Sequence, residues 1–71
     1  MVFDYSKLKG RIKEKGFTQE DVAKSISKAK STVSLKLNNQ SVFVQDEINI
    51  IINLLDIPDE QIKEYFFTEK V

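Results

Sequence analysis

The sequence predicts an all-α fold built from five helices, and three observations support that prediction. Apolar residues recur at spacings of three and four along most of the chain, which is the period of a helix with one buried face. Residues typical of helix starts and helix ends separate these apolar segments. The connections are short, and no internal repeat, linker or second domain is found, so we expect one domain over all 71 residues.

The first two helices are recognised by their apolar stripes and by the residues between them. The stripe of the first helix consists of Tyr5, Leu8 and Ile12. Gly16 is a natural stop for this helix, because glycine readily takes the left-handed conformation. Thr18 then offers a side-chain oxygen to the start of the second helix, with Asp21 three residues on as an imperfect capping box. The stripe of the second helix consists of Val22, Ala23 and Ile26.

A third helix follows residues 27–29 and runs to about Asn38. Its inner face is marked by Val33 and Leu37, which are four residues apart and therefore lie on one side of a helix. The polar residues 38–41 end it. The third helix is thus short, and only a tight turn joins it to the second.

The last two helices occupy the C-terminal part of the chain. Residues 45–55 carry an apolar stripe formed by Ile48, Ile51, Ile52 and Leu55. Asp46 and Glu47 stand where a helix N-terminus favours negative charge. Because the stretch is rich in β-branched residues, a buried strand is the alternative for it. Pro58 suits the first turn of a last helix, which ends at residues 65–67.

Composition excludes several classes of protein. The chain has no cysteine and no histidine, which excludes disulfide bonds, Ser–His and Cys–His catalysis and the usual zinc sites. The carboxylates are scattered and no glycine-rich phosphate loop is present, so we expect no enzyme, no cofactor, no metal and no small-molecule ligand. The longest apolar run, residues 50–52, is far shorter than the roughly 20 residues of a membrane span. Because no signal peptide is recognised either, we expect a cytoplasmic protein without a membrane partner.

Charge is divided unequally between the two halves of the chain. Residues 1–36 hold nine bases and four acids, a net charge of +5, and residues 37–71 hold two bases and seven acids, a net charge of −5. A protein with this division can present a basic face to a polyanion while it remains neutral as a whole. The alternative is that the two halves are solvated helix faces that attract each other in the folded chain.

The segment 19–38 resembles the helix-turn-helix of the Cro and repressor family of phage regulators, the XRE type. The matching positions are Gln19, Val22, Ala23, Ile26 and Val33. The flanking positions that are similar to small prophage-encoded proteins of this family are Leu37, Asn38, Asn39, Phe43, Glu47, Ile48, Tyr65, Phe66 and Phe67. The resemblance implies a compact lambda-repressor-like DNA-binding domain over residues 1–71, with the motif at about 19–38.

Three residues at the turn depart from the family pattern. Ser27 stands where glycine is usual and would have to accept a positive φ, or the turn would have to be rearranged. Lys28 stands where an apolar residue is common. Ala29 replaces the Ser or Thr that normally caps the second helix of the motif, a loss of about 1 kcal/mol. None of the three removes a DNA contact by itself.

The resemblance implies that the second helix of the motif enters the major groove of DNA. The DNA-binding residues carried over onto this sequence are Gln19, Lys28, Ala29, Lys30, Ser31, Ser34, Leu35, Asn38 and Asn39. In this assignment Gln19 binds a phosphate, Lys30 donates to a guanine, and Leu35 covers a thymine methyl group. The alternative for each residue is an ordinary solvated side chain, and for Leu35 it is packing.

The last two helices carry more apolar side chains than one small core is expected to bury. We expect the surplus to form a homodimer interface made by Ile50, Leu54, Ile57, Tyr65, Phe66 and Phe67. A dimer would place two recognition helices about 34 Å apart, facing successive turns of a palindromic site. The alternative is that the aromatic residues fold back over the core.

The function predicted from these observations is sequence-specific binding of double-stranded DNA. The protein would be a Cro-like or repressor-like transcriptional regulator of phage or prophage type, acting in a bacterial host cell and located at the nucleoid when bound. The alternative is a protein-interaction or antitoxin module that uses the same fold without strong DNA binding.

Overall fold

Five α-helices form the part of the chain that the computed structural model describes, residues 2–69. The helices are α1 (Ser6–Glu14), α2 (Gln19–Ser25), α3 (Lys30–Leu37), α4 (Gln45–Leu55) and α5 (Ile62–Phe66), with a 3₁₀ turn at Asp59–Gln61. The prediction of an all-α fold with five helices is confirmed, and residues 45–55 form a helix rather than a strand. The ends of the predicted domain 1–71, namely Met1, Lys70 and Val71, lie outside the described residues.

The chain passes from α1 to α2 through the two local signals that the sequence predicted. Gly16 has a φ of 81°, the left-handed conformation that ends the preceding helix. The backbone N–H of Asp21 donates to the Thr18 hydroxyl at 3.2 Å, and the Asp21 carboxylate accepts from the Thr18 N–H at 2.8 Å. The capping box is therefore complete. Hydrogen bonds from the Thr18 backbone and side chain hold the pKa of Asp21 below its usual value.

The turn between α2 and α3 depends on Ser27, which has a φ of 57°. This is the left-handed conformation, one of the two alternatives that the sequence left open for the position, and it is uncommon for residues with a side chain. Ala29 then begins α3 as its N-cap without a side-chain hydrogen bond, as expected from its methyl group. The two helices pack against each other in a helix–turn–helix arrangement.

One apolar core joins the helices. Its buried members are Tyr5, Leu8, Ile12, Val22, Ala23, Ile26, Val33, Leu37, Ile48, Ile51, Leu55, Ile57 and Phe66. Every stripe residue predicted for the first three helices is in this set. In α4 the stripe is buried except for Ile52, which is half-buried at the edge of the core. The predicted apolar stripes are therefore the faces that form the core.

Two residues predicted to form a dimer interface belong to this core instead. Ile57 is 4% exposed and Phe66 is 2% exposed, so neither side chain can meet a second copy. Phe66 packs edge-to-face on Phe43, with ring centroids 5.8 Å apart, because α5 folds back over the core. The interface prediction is therefore wrong for these two residues. The other four lie nearer the surface, with Leu54 and Tyr65 half-buried against the core and Ile50 and Phe67 exposed.

Candidate functional site

The outward side of α3 carries four of the nine residues that the sequence predicted to bind DNA. Lys30, Ser31 and Leu35 are exposed there, and Ser34 is half-buried beside them. The remaining members near α3 or α2 are the exposed Lys28, Ala29 and Asn38, and the half-buried Gln19 at the start of α2. The fold thus brings these residues to α3 and its surroundings, and their binding to DNA stays a prediction.

Asn39, the ninth residue of that set, is engaged inside the chain. Its side-chain oxygen accepts from the backbone N–H of Phe3, and its side-chain nitrogen donates to the Phe3 carbonyl, both at 2.8 Å. Its φ of 64° lies in the left-handed region, which asparagine tolerates better than most residues. Phe3 also forms an isolated antiparallel bridge with Glu69. Asn39 therefore fastens the N-terminal segment to the end of α3, a structural role that the sequence analysis missed.

A buried ion pair joins α3 to α4. The Lys36 ammonium lies 3.0 Å from the Glu47 carboxylate, and the two side chains are 8% and 6% exposed. Lys36 also donates to the Val42 carbonyl at 2.7 Å, and Glu47 accepts from the Val44 N–H at 3.0 Å. The Lys36 ammonium is 5.8 Å from the centre of the Phe43 ring. The ion pair and its hydrogen bonds thus fix residues 42–44, the second half of the loop between α3 and α4.

The pKa of Glu47 reflects opposing effects. Burial alone would raise this pKa, but the hydrogen bond from the Val44 N–H and the Lys36 ammonium outweigh burial and hold it below its usual value. The positive charge of Lys28 acts in the same direction as Lys36. Glu47 is therefore ionised at neutral pH.

The sequence analysis missed this pair, because it counted Lys36 only as one of the nine bases of the first half. The sequence nevertheless indicates that both residues lie beside buried stripes. Lys36 lies three residues after Val33 and directly before Leu37, which places it on the inner flank of a helix. Glu47 directly precedes Ile48 and lies four residues before Ile51, so it too borders a buried stripe.

Ion pairs between the two halves of the chain occupy several N-terminal bases. They join Lys7 to Glu64 at 3.0 Å, Lys15 to Asp56 at 3.3 Å, and Lys36 to Glu47. Arg11 donates to the carbonyl oxygens of Leu55 and Asp56, at 3.0 and 2.9 Å, and so caps the C-terminus of α4. Within residues 2–69 no ion pair involves Lys9, Lys13, Lys28 or Lys30. The geometry supports the alternative in which the two halves attract each other.

The part of α3 that follows Lys30 and the loop after α3 carry no exposed charge. Between Lys30 and Asp46 the only ionisable residue is Lys36, which is buried. The large aliphatic side chains exposed in this stretch are Leu35 at 45%, Val42 at 71% and Val44 at 52%. We refer to the exposed side chains of residues 31–45 as the neutral surface.

The described residues offer little that could catalyse a reaction. A surface hollow of about 250 Å³ is lined by Asp4, Ser6, Lys7, Glu64 and Thr68. Its Lys7 and Glu64 are paired with each other, and the Ser6 hydroxyl donates to Asp4 at 2.6 Å. No group of three or more acidic side chains within residues 2–69 is placed to hold a metal ion. In the same part of the chain, every helix is too short or too polar to cross a membrane.

Comparison with known proteins identifies a family and a similar solved structure. The model of a family described as "Protein of unknown function (DUF739)" matches residues 1–69. No curated protein matches the chain. The solution structure of the modulator of repression (MOR) of the temperate bacteriophage TP901-1 from Lactococcus lactis is 41% identical, with a TM-score of 0.77. The match covers 100% of this chain and 96% of that chain.

The likeness is to a phage regulatory protein, and it does not extend to the Cro type in particular. It covers α1 to α5 together rather than the helix–turn–helix segment alone. Because the family model matches nearly the whole sequence, the chain belongs to the DUF739 family.

Proposed function

We propose that this protein is a phage regulator that modulates repression by binding a repressor protein, and that it is not an enzyme. The observation that carries the proposal is the similarity to the phage modulator of repression, 41% identical along the full length of this chain. Similarity over all five helices supports a shared role more strongly than a shared helix–turn–helix would.

The charges of the structure support protein binding over DNA binding. A DNA-binding domain gains most of its affinity from lysine and arginine side chains that neutralise phosphates. Here Lys7, Arg11 and Lys15 are engaged with the C-terminal half of the chain, and Lys36 is buried. Near α3, Lys28 and Lys30 form no ion pair within residues 2–69, and the surface beyond them is neutral. A protein partner suits such a surface better than a polyanion does.

Titration with the repressor of the phage or prophage that encodes this chain tests the proposal. The labelled repressor is titrated with this protein, and binding is followed by fluorescence anisotropy. A mobility-shift assay with the repressor's operator then measures whether the bound protein changes repression. We expect saturable binding and a changed operator affinity. A Kd of about 1 μM is a weak affinity for a specific complex. Absence of binding at concentrations about 100 times higher would therefore contradict the proposal.

The helix–turn–helix arrangement favours sequence-specific DNA binding as a second candidate function. Ser27 takes the left-handed conformation that the turn needs, and Lys30 and Ser31 are exposed in the first turn of α3. On this hypothesis the protein binds a palindromic operator as a homodimer, in the manner of a Cro-like repressor. Lys30→Ala should then relax preference at one base pair and cost about 1–3 kcal/mol of binding free energy. A mobility-shift titration in which no duplex is preferred would exclude this candidate.

Homodimerisation belongs to the second candidate and is open to test. The exposed members of the predicted interface are Ile50 and Phe67, with Leu54 and Tyr65 half-buried behind them. Sedimentation equilibrium should show a dimer that Ile50→Asp weakens. A monomer at every concentration would contradict it.

A further inference from the structure

We propose that the neutral surface is the docking site for the repressor, and that the repressor meets it with an apolar patch between a carboxylate edge and a basic edge. This inference rests on the proposed function. It adds to that function the face of the molecule that binds and the chemistry of the face that is bound.

The composition of the neutral surface is that of a protein interface. The centre of such an interface is depleted of charge and contains large apolar side chains. In a chain with 31% charged residues, the 15 positions from 31 to 45 contain one, and it is buried. Val42 is 71% exposed, more than any other large apolar residue of residues 2–69. Contiguous patches of exposed apolar side chains usually mark an interaction site.

The neutral surface is also held in place before any partner binds. The Gln40 N–H donates to the Leu35 carbonyl at 2.8 Å, which closes the end of α3. Lys36 then holds the Val42 carbonyl, and Glu47 holds the Val44 N–H. Because Leu35, Val42 and Val44 are attached to a fixed backbone, a partner does not have to order the loop. Affinity rises when this entropic cost is absent.

The two edges of the neutral surface carry opposite charge. Lys28 and Lys30 are exposed before it, and neither forms an ion pair within the described residues. Asp46 is exposed after it, at the start of α4. A partner with carboxylates opposite the two lysines and a base opposite Asp46 would bind in one orientation, since reversal would bring like charges together. The exposed Asp46 also favours a protein over DNA as the partner, because DNA would meet this carboxylate with a phosphate.

Substitution of single exposed residues tests the inference. Val42→Asp places a charge on the neutral surface, and Val2→Asp, at a residue that is 49% exposed outside it, introduces the same charge elsewhere. We expect Val42→Asp to raise the Kd for the repressor at least tenfold and Val2→Asp to change it less than about twofold. Circular dichroism verifies that each variant is folded. If Val42→Asp does not fold, Leu35→Gln replaces it.

The outcomes separate the inference from the proposed function. If the unmodified protein does not bind the repressor, the proposed function fails. If it binds and Val42→Asp binds equally well, the inference alone is overturned. If the free protein is a dimer and Val42→Asp dissociates it, the neutral surface binds a second copy of this chain. If Val42→Asp loses binding to duplex DNA but not to the repressor, the neutral surface binds DNA. Either result overturns the inference.

Discussion

The outer face of α1 and the neutral surface are both accessible to solvent, but charge is used in opposite ways on the two. On α1, Lys7, Arg11 and Lys15 reach the C-terminal half of the chain and bind its carboxylates and carbonyl groups. On the neutral surface the one base, Lys36, is buried, and aliphatic side chains are exposed in its place. The paired bases of α1 therefore contribute to the fold, and the face without charge is available to a partner.

This difference shows why a count of bases is a poor guide to function in so small a protein. The first half of the chain has a net charge of +5, which suggests a polyanion as partner. The second half, with −5, neutralises part of that charge within the same molecule. The charge that remains available to a partner therefore depends on which side chains are paired within the chain, and not on the total charge of each half.

The largest effect should follow from Lys36→Met, which leaves the buried Glu47 carboxylate without its cation. Removal of one partner of a buried pair costs about 3–5 kcal/mol of unfolding free energy. Urea unfolding followed by circular dichroism measures the loss. Lys7→Met is the matched control, because the pair of Lys7 with Glu64 is exposed and should contribute less than about 1 kcal/mol. Equal losses in the two variants would mean that Lys36 has no special role.

Acid pH should produce part of the same loss. The folded pKa of Glu47 lies below the usual value of 4.5, so the ionised group stabilises the fold above that pH. This contribution disappears as the pH falls through the folded pKa. Urea unfolding between pH 7 and pH 3 should therefore give a flatter pH dependence for Glu47→Gln than for the unmodified protein. The exposed Glu60→Gln should keep the original dependence, and a variant at Glu47 that does the same would refute the assignment.

Arg11→Met should lower the unfolding free energy by about 1–3 kcal/mol, because it removes charge-assisted hydrogen bonds to the end of α4. The methionine retains most of the apolar stem, so the loss reports on the guanidinium. Lys13→Met is the control, since Lys13 is exposed and has no ion pair within the described residues. A loss no larger than that of the control, measured by urea unfolding, would show that the charges of α1 do not join the two halves.

The smallest effect, and the only gain, is expected from Ser27→Gly. Ser27 has a φ of 57°, and glycine accepts that conformation without the roughly 1 kcal/mol that a side chain costs there. The melting temperature should rise by a few degrees in a domain of this size. Ser41→Gly supplies the control at an exposed loop residue without a positive φ. A lowered melting temperature for Ser27→Gly would mean that the serine side chain stabilises the turn.

The helices could be predicted from the sequence because their signals are local. The apolar stripe of residues 45–55 matches α4 at both ends, and Thr18 with Asp21 forms the capping box that the spacing indicated. At Ser27 the sequence left a positive φ and a rearranged turn as alternatives, and the structure has the positive φ. Each of these signals lies within a few residues of the structure it determines.

The contacts between distant residues could not be predicted in the same way. The hydrogen bonds between Asn39 and Phe3 join residues that are 36 positions apart, and the sequence near either residue does not indicate them. Ile57 and Phe66 were assigned to an interface because a count of apolar residues cannot tell how α5 lies on the core. The sequence indicated α3 as the functional helix, but it could not indicate the neutral surface. That surface is free of exposed charge only because Lys36 is buried by its contact with Glu47, a residue distant in the sequence.

The most direct test of the central claim is a titration of the ¹⁵N-labelled protein with the unlabelled repressor, followed by NMR chemical shifts. The account predicts that the amides of residues 28–46 shift in a saturable manner, while those of the outer face of α1 stay in place. A parallel titration with duplex DNA should shift few amides, and only at low salt. Shifts concentrated on α1 or α5 with the repressor, or saturable shifts with DNA alone, would contradict the account.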